Sequence, residues 1–101
     1  VVVWATPIYY YEMSGQMKTL IDRMNSMYPK EYRFRDVYFL VVAADDAPSS
    51  PDRALCGLGG WIECFDKSAL RGSVFCGGVD APGDIAGNAC LSEAYRLGLG
   101  V

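Results

Sequence analysis

The chain has 101 residues, of which 51% are hydrophobic and 21% are charged, and its formal net charge at pH 7 is −3. This composition is typical of a folded globular domain, and the length suffices for one small domain. The acidic balance and the lack of a basic run argue against a nucleic-acid-binding surface built on phosphate neutralisation. No apolar stretch is long enough to cross a bilayer, so no membrane partner is expected.

The cysteine and histidine content limits the chemistry that the chain can carry. None of the cysteines forms a C-x-x-C pair, and the sequence has no histidine. Zinc-ribbon and thioredoxin sites and Ser-His or Cys-His nucleophiles therefore have no support, and no metal site is expected. We interpret the cysteines as small buried or half-buried thiols in a reducing cytoplasm. They are Cys56, Cys64, Cys76 and Cys90.

The first third of the chain predicts a strand, a loop and a helix. Residues 1–5 form an apolar run typical of a strand buried on both faces, as in a parallel sheet. The polar and aromatic stretch 6–12 follows as a loop. Ser14 is a candidate N-cap of the helix, and Pro29 marks the end of the helical region. The inward face of this helix is predicted from apolar residues at helical spacing, namely Met17, Leu20, Ile21 and Met24.

The middle of the chain predicts a second strand and a second helix. Residues 37–44 form a near-continuous apolar run, and the loop 45–51 follows it. Ser50 with Pro51 at the first helical position is a favourable helix start. The inward face of the second helix is predicted from Leu55, Leu58, Ile62 and Phe65.

The last third predicts a shorter strand at residues 72–76, the loop 77–85 and a third helix. Asn88 is the candidate N-cap of this helix and Gly98 its stop. Alternating strands and helices predict parallel strands joined by right-handed crossovers. Because the carboxyl ends of parallel strands share one edge of the sheet, we expect the three strand-end loops to meet there.

Three short motifs carry a family resemblance. They read TPIYY at residues 6–10, SGQMK at 14–18 and IDR at 21–23. Together they resemble the flavodoxin-like NAD(P)H-dependent FMN reductases, including their iron-sulfur-flavoprotein-like branch. The segment GGVDAPGDI at residues 77–85 is similar to the same family at the same relative position. The resemblance spans almost all of the chain, but it covers only the C-terminal portion of the family.

This resemblance implies an α/β fold, the flavodoxin-like three-layer sandwich with strand order 2-1-3-4-5. The predicted strands would be its parallel strands 3, 4 and 5 with their crossover helices, while strands 1 and 2 would be absent. Residues 1–101 would form a single partial flavodoxin-like domain. We expect a piece of a longer chain, because the sequence begins with Val inside a strand pattern. The bare edge of the first strand would then need a cover, which could be a missing part of the chain, a second copy or another subunit.

The resemblance also implies FMN as the cofactor and NAD(P)H as the substrate that reduces it. No catalytic side chain is expected, since hydride would pass directly from the nicotinamide to the flavin. The loop that seats the FMN phosphate in this fold follows strand 1 and is missing from the sequence. We therefore expect these residues alone to bind FMN weakly or not at all. The implied cofactor-binding residues are Thr6, Pro7, Ile8, Tyr9, Tyr10, Ala44, Asp45 and Asp46.

Each of these assignments has a structural alternative. The tyrosines could pack on the end of the sheet or on a partner, and the pair Asp45 and Asp46 could form only a turn that starts the second helix. The implied function is the C-terminal part of an oxidoreductase of the flavin or quinone reductase type. Electrons would pass from NAD(P)H through FMN to a small-molecule acceptor. The alternatives are a non-catalytic interaction or oligomerisation module and a flavodoxin-type electron carrier. A homo-oligomer is expected, with the exposed first-strand edge as its candidate interface.

Overall fold

The computed structural model describes residues 1–28 and 30–101, so Pro29, the predicted end of the first helical region, lies outside the described residues. Within these residues the sheet has four strands in the order β2-β1-β3-β4. A 3₁₀ turn at Met24–Met27 follows the first helix. The strands are β1 (Val2–Tyr9), β2 (Glu12–Met13), β3 (Asp36–Val42) and β4 (Ala69–Cys76), and the helices are α1 (Gly15–Arg23), α2 (Asp52–Glu63) and α3 (Ala89–Leu99).

Strands β1, β3 and β4 are parallel, as the alternation of strands and helices predicts. Trp4 of β1 lies opposite Phe39 of β3, and Phe39 lies opposite Ser73 of β4. Each long crossover contains a helix, which is the usual way to return the chain to the same end of a parallel sheet. Within the described residues, none of the helices has the length and apolar character that a membrane span requires.

The sequence-based prediction fails at the end of β1. Residues 6–12 were expected to form a loop, yet β1 continues to Tyr9 and turns into the short antiparallel strand β2, with Ile8 opposite Met13. The turn residues Tyr10 and Tyr11 have φ angles of 51° and 67°. Two-residue hairpins need such left-handed residues, which are normally Asn or Gly. The sequence lacks that signal, so the hairpin could not be recognised.

The main core lies between the sheet and the layer formed by α1 and α2. Phe39 and Leu58 are fully buried there, and the rings of Trp4 and Trp61 meet edge to face at 5.4 Å between centroids. Most of the predicted inward residues of the first two helices are buried. Met24 and Leu55 are half-buried, and Leu20 is 52% exposed, because Met17 and Ile21 form the stripe of α1 that faces the sheet.

The helix limits differ slightly from those predicted. The second helix begins at Asp52, with Pro51 as its cap residue, and it ends before Phe65, which is nevertheless buried. The third helix passes the predicted stop Gly98 and ends at Leu99, with Gly100 as the C-cap. A glycine inside the last turn costs little there, since helix ends are only partly hydrogen-bonded.

The other face of the sheet is covered only in part. Helix α3 packs on β4 through a cluster that includes Val74, Cys76 and Cys90. Val3 on β1 is 51% exposed on this face, so the prediction that the first strand is buried on both faces is wrong. The reason is that α3 lies over β4 and not over β1. Within the described chain, β2 pairs only with the end of β1, and the outer edge of residues 2–7 has no partner strand.

The cysteines also correct the sequence interpretation. Cys76 and Cys90 form a disulfide between the end of β4 and the first turn of α3, with Cα atoms 5.6 Å apart. Cys56 and Cys64 are free thiols, but they are exposed rather than buried. Spacing could not show the disulfide, because the two cysteines are 14 positions apart and only the folded path of the chain brings them together.

Candidate functional site

The carboxyl ends of β1, β3 and β4 lead into three segments at one edge of the sheet. Hydrogen bonds connect the segment after β3 to the segment after β4. The Ala43 N–H donates to the Cys76 carbonyl at 3.0 Å, and the Val79 N–H donates to the Ala43 carbonyl at 2.9 Å. Ligands of open parallel sheets bind at this edge. The predicted convergence of the strand-end loops is therefore confirmed for these two segments.

Gly77 allows the two segments to approach closely. A Cβ atom at this position would lie 2.6 Å from the Asp46 Cα and 3.2 Å from the Asp45 carbonyl oxygen. Real Cβ atoms do not approach backbone atoms that closely, so any side chain would push the segments apart. Gly77 thus sets how tightly the third loop rests on the second.

A small hollow of about 130 Å³ lies between the turn after β1 and the segment after β3. Four predicted cofactor-binding residues meet here, namely Ile8, Tyr10, Ala44 and Asp45. The hollow is smaller than the pockets of roughly 300–1,000 Å³ that enclose small ligands. A flat ring system would therefore rest on its rim rather than lie inside it. The complete lining consists of Ile8, Tyr10, Tyr11, Ala43, Ala44, Asp45 and Ser50.

The other four predicted residues lie outside this hollow. Thr6 is buried, where its Oγ1 accepts a hydrogen bond from the Ser14 N–H and donates one to the Pro7 carbonyl, both at 2.9 Å. This holds the start of α1 against β1. Pro7 lines a groove on the α3 face of the sheet, Tyr9 is exposed, and Asp46 faces Gly77.

The turn at Tyr10 and Tyr11 carries backbone strain. Bulky residues rarely adopt a left-handed conformation, which costs on the order of 1–3 kcal/mol, and such strain concentrates at binding sites. Tyr10 is 97% exposed, so it does not pack on the end of the sheet. The guanidinium carbon of Arg53 lies 5.7 Å from the centre of the Tyr11 ring. The strained turn therefore presents an aromatic surface beside a positive charge from the start of α2.

Asp45 is held in a defined position by two donors. Its Oδ2 accepts a hydrogen bond from the Ser50 Oγ at 2.7 Å, and its Oδ1 accepts one from the Ala47 N–H at 3.2 Å. The bond from Ser50, followed by that from Ala47, keeps the pKa of the Asp45 carboxyl below its ordinary value. Asp45 is therefore ionised at neutral pH. These contacts also form the turn into α2, which was the structural alternative.

Sequence reasoning missed Ser50 as part of this site. Its position before Pro51 indicates a helix start, and nothing in the local pattern shows that the hydroxyl will be buried against Asp45.

The third loop contains a similar turn at Asp84, whose Oδ2 accepts hydrogen bonds from the Ala81 and Asp80 N–H groups at 2.7 and 3.1 Å. These two bonds, led by that from Ala81, lower the pKa of the Asp84 carboxyl. Two ionised carboxylates therefore border the edge.

An open apolar groove of about 380 Å³ lies on the other side of the sheet, beneath α3. We call it the α3 groove. It runs from Pro7 on β1 across β3 to the Cys76–Cys90 disulfide and Leu91.

Among the residues that the structure describes, no group of three or more His, Cys, Asp or Glu side chains is placed to hold a metal ion.

Comparisons with known proteins agree with this architecture. The sequence profile of the NADPH-dependent FMN reductase family matches residues 1–67, more than half of the chain. Among solved structures, the chain is similar to the Trp repressor binding protein from Bacillus subtilis, with a TM-score of 0.75 and 26% sequence identity. The similarity covers 94% of this chain and 67% of that one, and it confirms the predicted partial flavodoxin-like fold. The search of curated proteins found no significant match.

Proposed function

Because the chain belongs to the NADPH-dependent FMN reductase family, we propose that the protein is an oxidoreductase in which NADPH reduces FMN and a small acceptor takes the electrons. The observation that carries this proposal is the meeting of the Tyr10–Tyr11 turn with the segment after β3 at the carboxyl edge of the sheet. This is where ligands of the fold bind.

The residues at the edge fit an isoalloxazine ring. Ile8 and Ala44 supply apolar contact, and the exposed Tyr10 ring offers an aromatic surface of matching shape. The backbone of the segment after β4 comes close to the segment after β3, because Gly77 has no side chain. When bound, FMN would supply the two-electron chemistry.

The chain's own residues would position the ring and set the local charge. Tyr10 and Tyr11 are held in place by the hairpin between β1 and β2. Asp45 is ionised and accepts two hydrogen bonds, so it carries no proton that it could donate at neutral pH. Its negative charge opposes further negative charge at the hollow and would favour the oxidised, neutral ring.

The first test is FMN binding by the complete gene product, measured by flavin fluorescence as the protein is added. Replacing Tyr10 with Ala should weaken binding about tenfold, the loss of one stacking contact of roughly 1.4 kcal/mol. Tyr95 on α3 is also exposed, but it lies away from the edge, so Y95A is the matched control. Equal affinities for the two variants would remove Tyr10 from the site.

The second test is the loss of the visible flavin absorbance when NADPH is added to the complete gene product under anaerobic conditions. Bound FMN that NADPH never reduces would rule out the reductase and support a flavodoxin-type electron carrier. A protein that does not bind FMN would support the interaction module. For residues 1–101 alone we propose weak binding, because the hollow is too small to enclose the ring.

The proposal also includes a cytoplasmic location and a homo-oligomer formed through the outer edge of β1. The oligomer is supported by the outer edge of residues 2–7, which no strand of the described residues covers, together with the exposed apolar side chain of Val3. Open strand edges tend to pair with another chain. Light scattering should show a dimer or a larger species, and V3K should lower the mass to that of the monomer. A wild-type monomer at micromolar concentration would contradict this part of the proposal.

A further inference from the structure

The end of β4 and the start of α3 are joined by two independent links. The first is the disulfide between Cys76 and Cys90. The second is Asn88, whose Nδ2 donates to the Gly77 carbonyl at 3.4 Å while its Oδ1 accepts from the Cys90 N–H at 3.0 Å. Both links join residues 76–77 to residues 88–90. The loop 77–88 is therefore closed at its base.

The loop itself has few features that would keep it ordered without this closure. Gly78, Gly83 and Gly87 have φ angles of 70°, 98° and 77°, and glycine loses more conformational freedom on folding than any other residue. The turn at Asp84 and the backbone turn bonds over residues 81–88 are local, so each fixes only a short stretch of the loop. The order of loop 77–88 thus depends on its base, on the contacts that Gly77 and Val79 make with the segment after β3, and on the packing of Val79 and Ile85 against the cluster around the disulfide.

The disulfide is shielded, but small molecules can approach it. Cys76 and Cys90 are only 6% and 4% exposed. Both nevertheless line the α3 groove, which is open to solvent and otherwise walled by apolar side chains such as Leu40, Ile85 and Leu91. A small thiol could enter this groove without separating the strands of the sheet.

We propose that Cys76 and Cys90 form a reversible dithiol–disulfide site that controls whether loop 77–88 is held on the carboxyl edge of the sheet. The co-reactants are small thiols and disulfides. In reduction by a dithiol, the Cys76–Cys90 bond breaks and one S–S bond forms within the reagent. Two electrons and two protons pass to the cysteine sulfurs. Oxidation by oxidised glutathione reverses this through a mixed disulfide, and two molecules of reduced glutathione leave.

The two states differ in what anchors the loop. In the disulfide state, the covalent link and Asn88 both close its base. In the dithiol state the base is held only by the hydrogen bonds of Asn88, of which the one to Gly77 is long at 3.4 Å, and the rest of the loop is held by the packing of Val79 and Ile85 and by the bond from Val79 to Ala43. The loop then opens more often, and the backbone bond from Val79 to Ala43 at the edge breaks with it. The site thus couples thiol redox state to the geometry of that edge.

The number of reactive thiols tests whether the disulfide forms and breaks in the folded protein. After treatment with oxidised glutathione, alkylation and mass spectrometry should find Cys76 and Cys90 unalkylated and joined to each other, whereas the exposed thiols Cys56 and Cys64 are either alkylated or carry glutathione. After dithiothreitol without denaturant, all four cysteines should be alkylated, and returning the protein to oxidised glutathione should again protect Cys76 and Cys90. A disulfide that dithiothreitol cannot reach in the folded protein, or that never re-forms, would overturn the proposal.

Amide hydrogen exchange tests the effect on the loop. Peptides from residues 77–88 should exchange several-fold faster in the reduced state, while peptides from α2 should not change. Equal exchange of the loop in both states, or loss of the far-UV circular dichroism on reduction, would show a purely structural crosslink. The variant C56S/C64S is the matched control, since it removes two cysteines and should keep the full redox response. Neither the alkylation nor the hydrogen-exchange measurement involves a flavin, so these tests are separate from the test of FMN binding.

Discussion

The Ser50 Oγ donates a hydrogen bond to the Asp45 Oδ2 at 2.7 Å, and Ser50 is only 1% exposed. This contact joins the residue that precedes the cap of α2 to the first acidic residue after β3. It holds the carboxylate at the rim of the hollow, directly before the start of α2. One buried hydroxyl therefore links the start of a helix to the electrostatics of the candidate site.

This contact makes stability depend on pH in a defined direction. The pKa of Asp45 is lowered in the folded state by the Ser50 and Ala47 donors from an ordinary value of 3.8. A lowered folded pKa stabilises the protein above the ordinary value, and this stabilisation is lost as the pH falls through the folded pKa. We expect the free energy of unfolding to decrease more between pH 5 and pH 2 in the wild type than in S50A. Denaturant titrations of both proteins at several pH values measure this difference. S49A changes the exposed neighbouring serine and should behave as the wild type.

The strained turn predicts a trade-off between stability and binding. Replacing Tyr10 with Gly removes the steric cost of its left-handed conformation, and this highly exposed residue loses little packing. The free energy of unfolding should rise by about 1 kcal/mol. The same change should weaken FMN binding because the aromatic surface is lost. Y10N also tolerates the left-handed region and should give part of the gain in stability. A destabilised Y10G would show that the ring makes a stabilising contact in solution.

Much of the fold could be predicted because continuous apolar runs specify buried parallel strands. The runs at 37–44 and 72–76 both became strands of the parallel sheet, with ends shifted by a few residues. The hairpin after β1 could not be predicted, since two tyrosines occupy positions where the known signal is Asn or Gly. The disulfide depends on the path of a loop, and no local pattern contains that information.

The candidate site was predicted in outline for a similar reason. Parallel topology alone places the ends of β1 and β3 together, which brings Ile8 and Tyr10 to the same hollow as Ala44 and Asp45. Burial of Ser50 was not predictable, because it results from packing between segments rather than from the identity of its neighbours. Whether the eight residues bind FMN stays a prediction.

Two leucines on neighbouring helices differ in burial, so their replacement distinguishes a core position from a surface position. Leu58 is fully buried in the cluster under α2, whereas Leu20 lies on the solvent side of α1. L58A should lower the free energy of unfolding by about 2–5 kcal/mol through lost burial and the cavity left behind. L20A should change it by less than about 0.5 kcal/mol, as is usual for surface positions. Urea denaturation of the two variants measures the difference. Similar losses would mean that Leu20 is covered in solution, for example by a second copy.

Two glycines provide the sharpest test of the edge geometry, because the same substitution should have opposite effects. Gly77 rests against the Asp46 backbone, so G77A forces the third loop away from the second and should cost about 1–3 kcal/mol of unfolding free energy. Gly59 lies inside α2 with open space around it, so G59A should stabilise the protein by about 0.5–1 kcal/mol. Urea denaturation gives both values, and hydrogen exchange of residues 43–47 should speed up in G77A alone. If G77A were neutral and that segment kept its protection, the two loops would not be in contact in solution, and the carboxyl edge would lack the backbone wall on which the proposed flavin site depends.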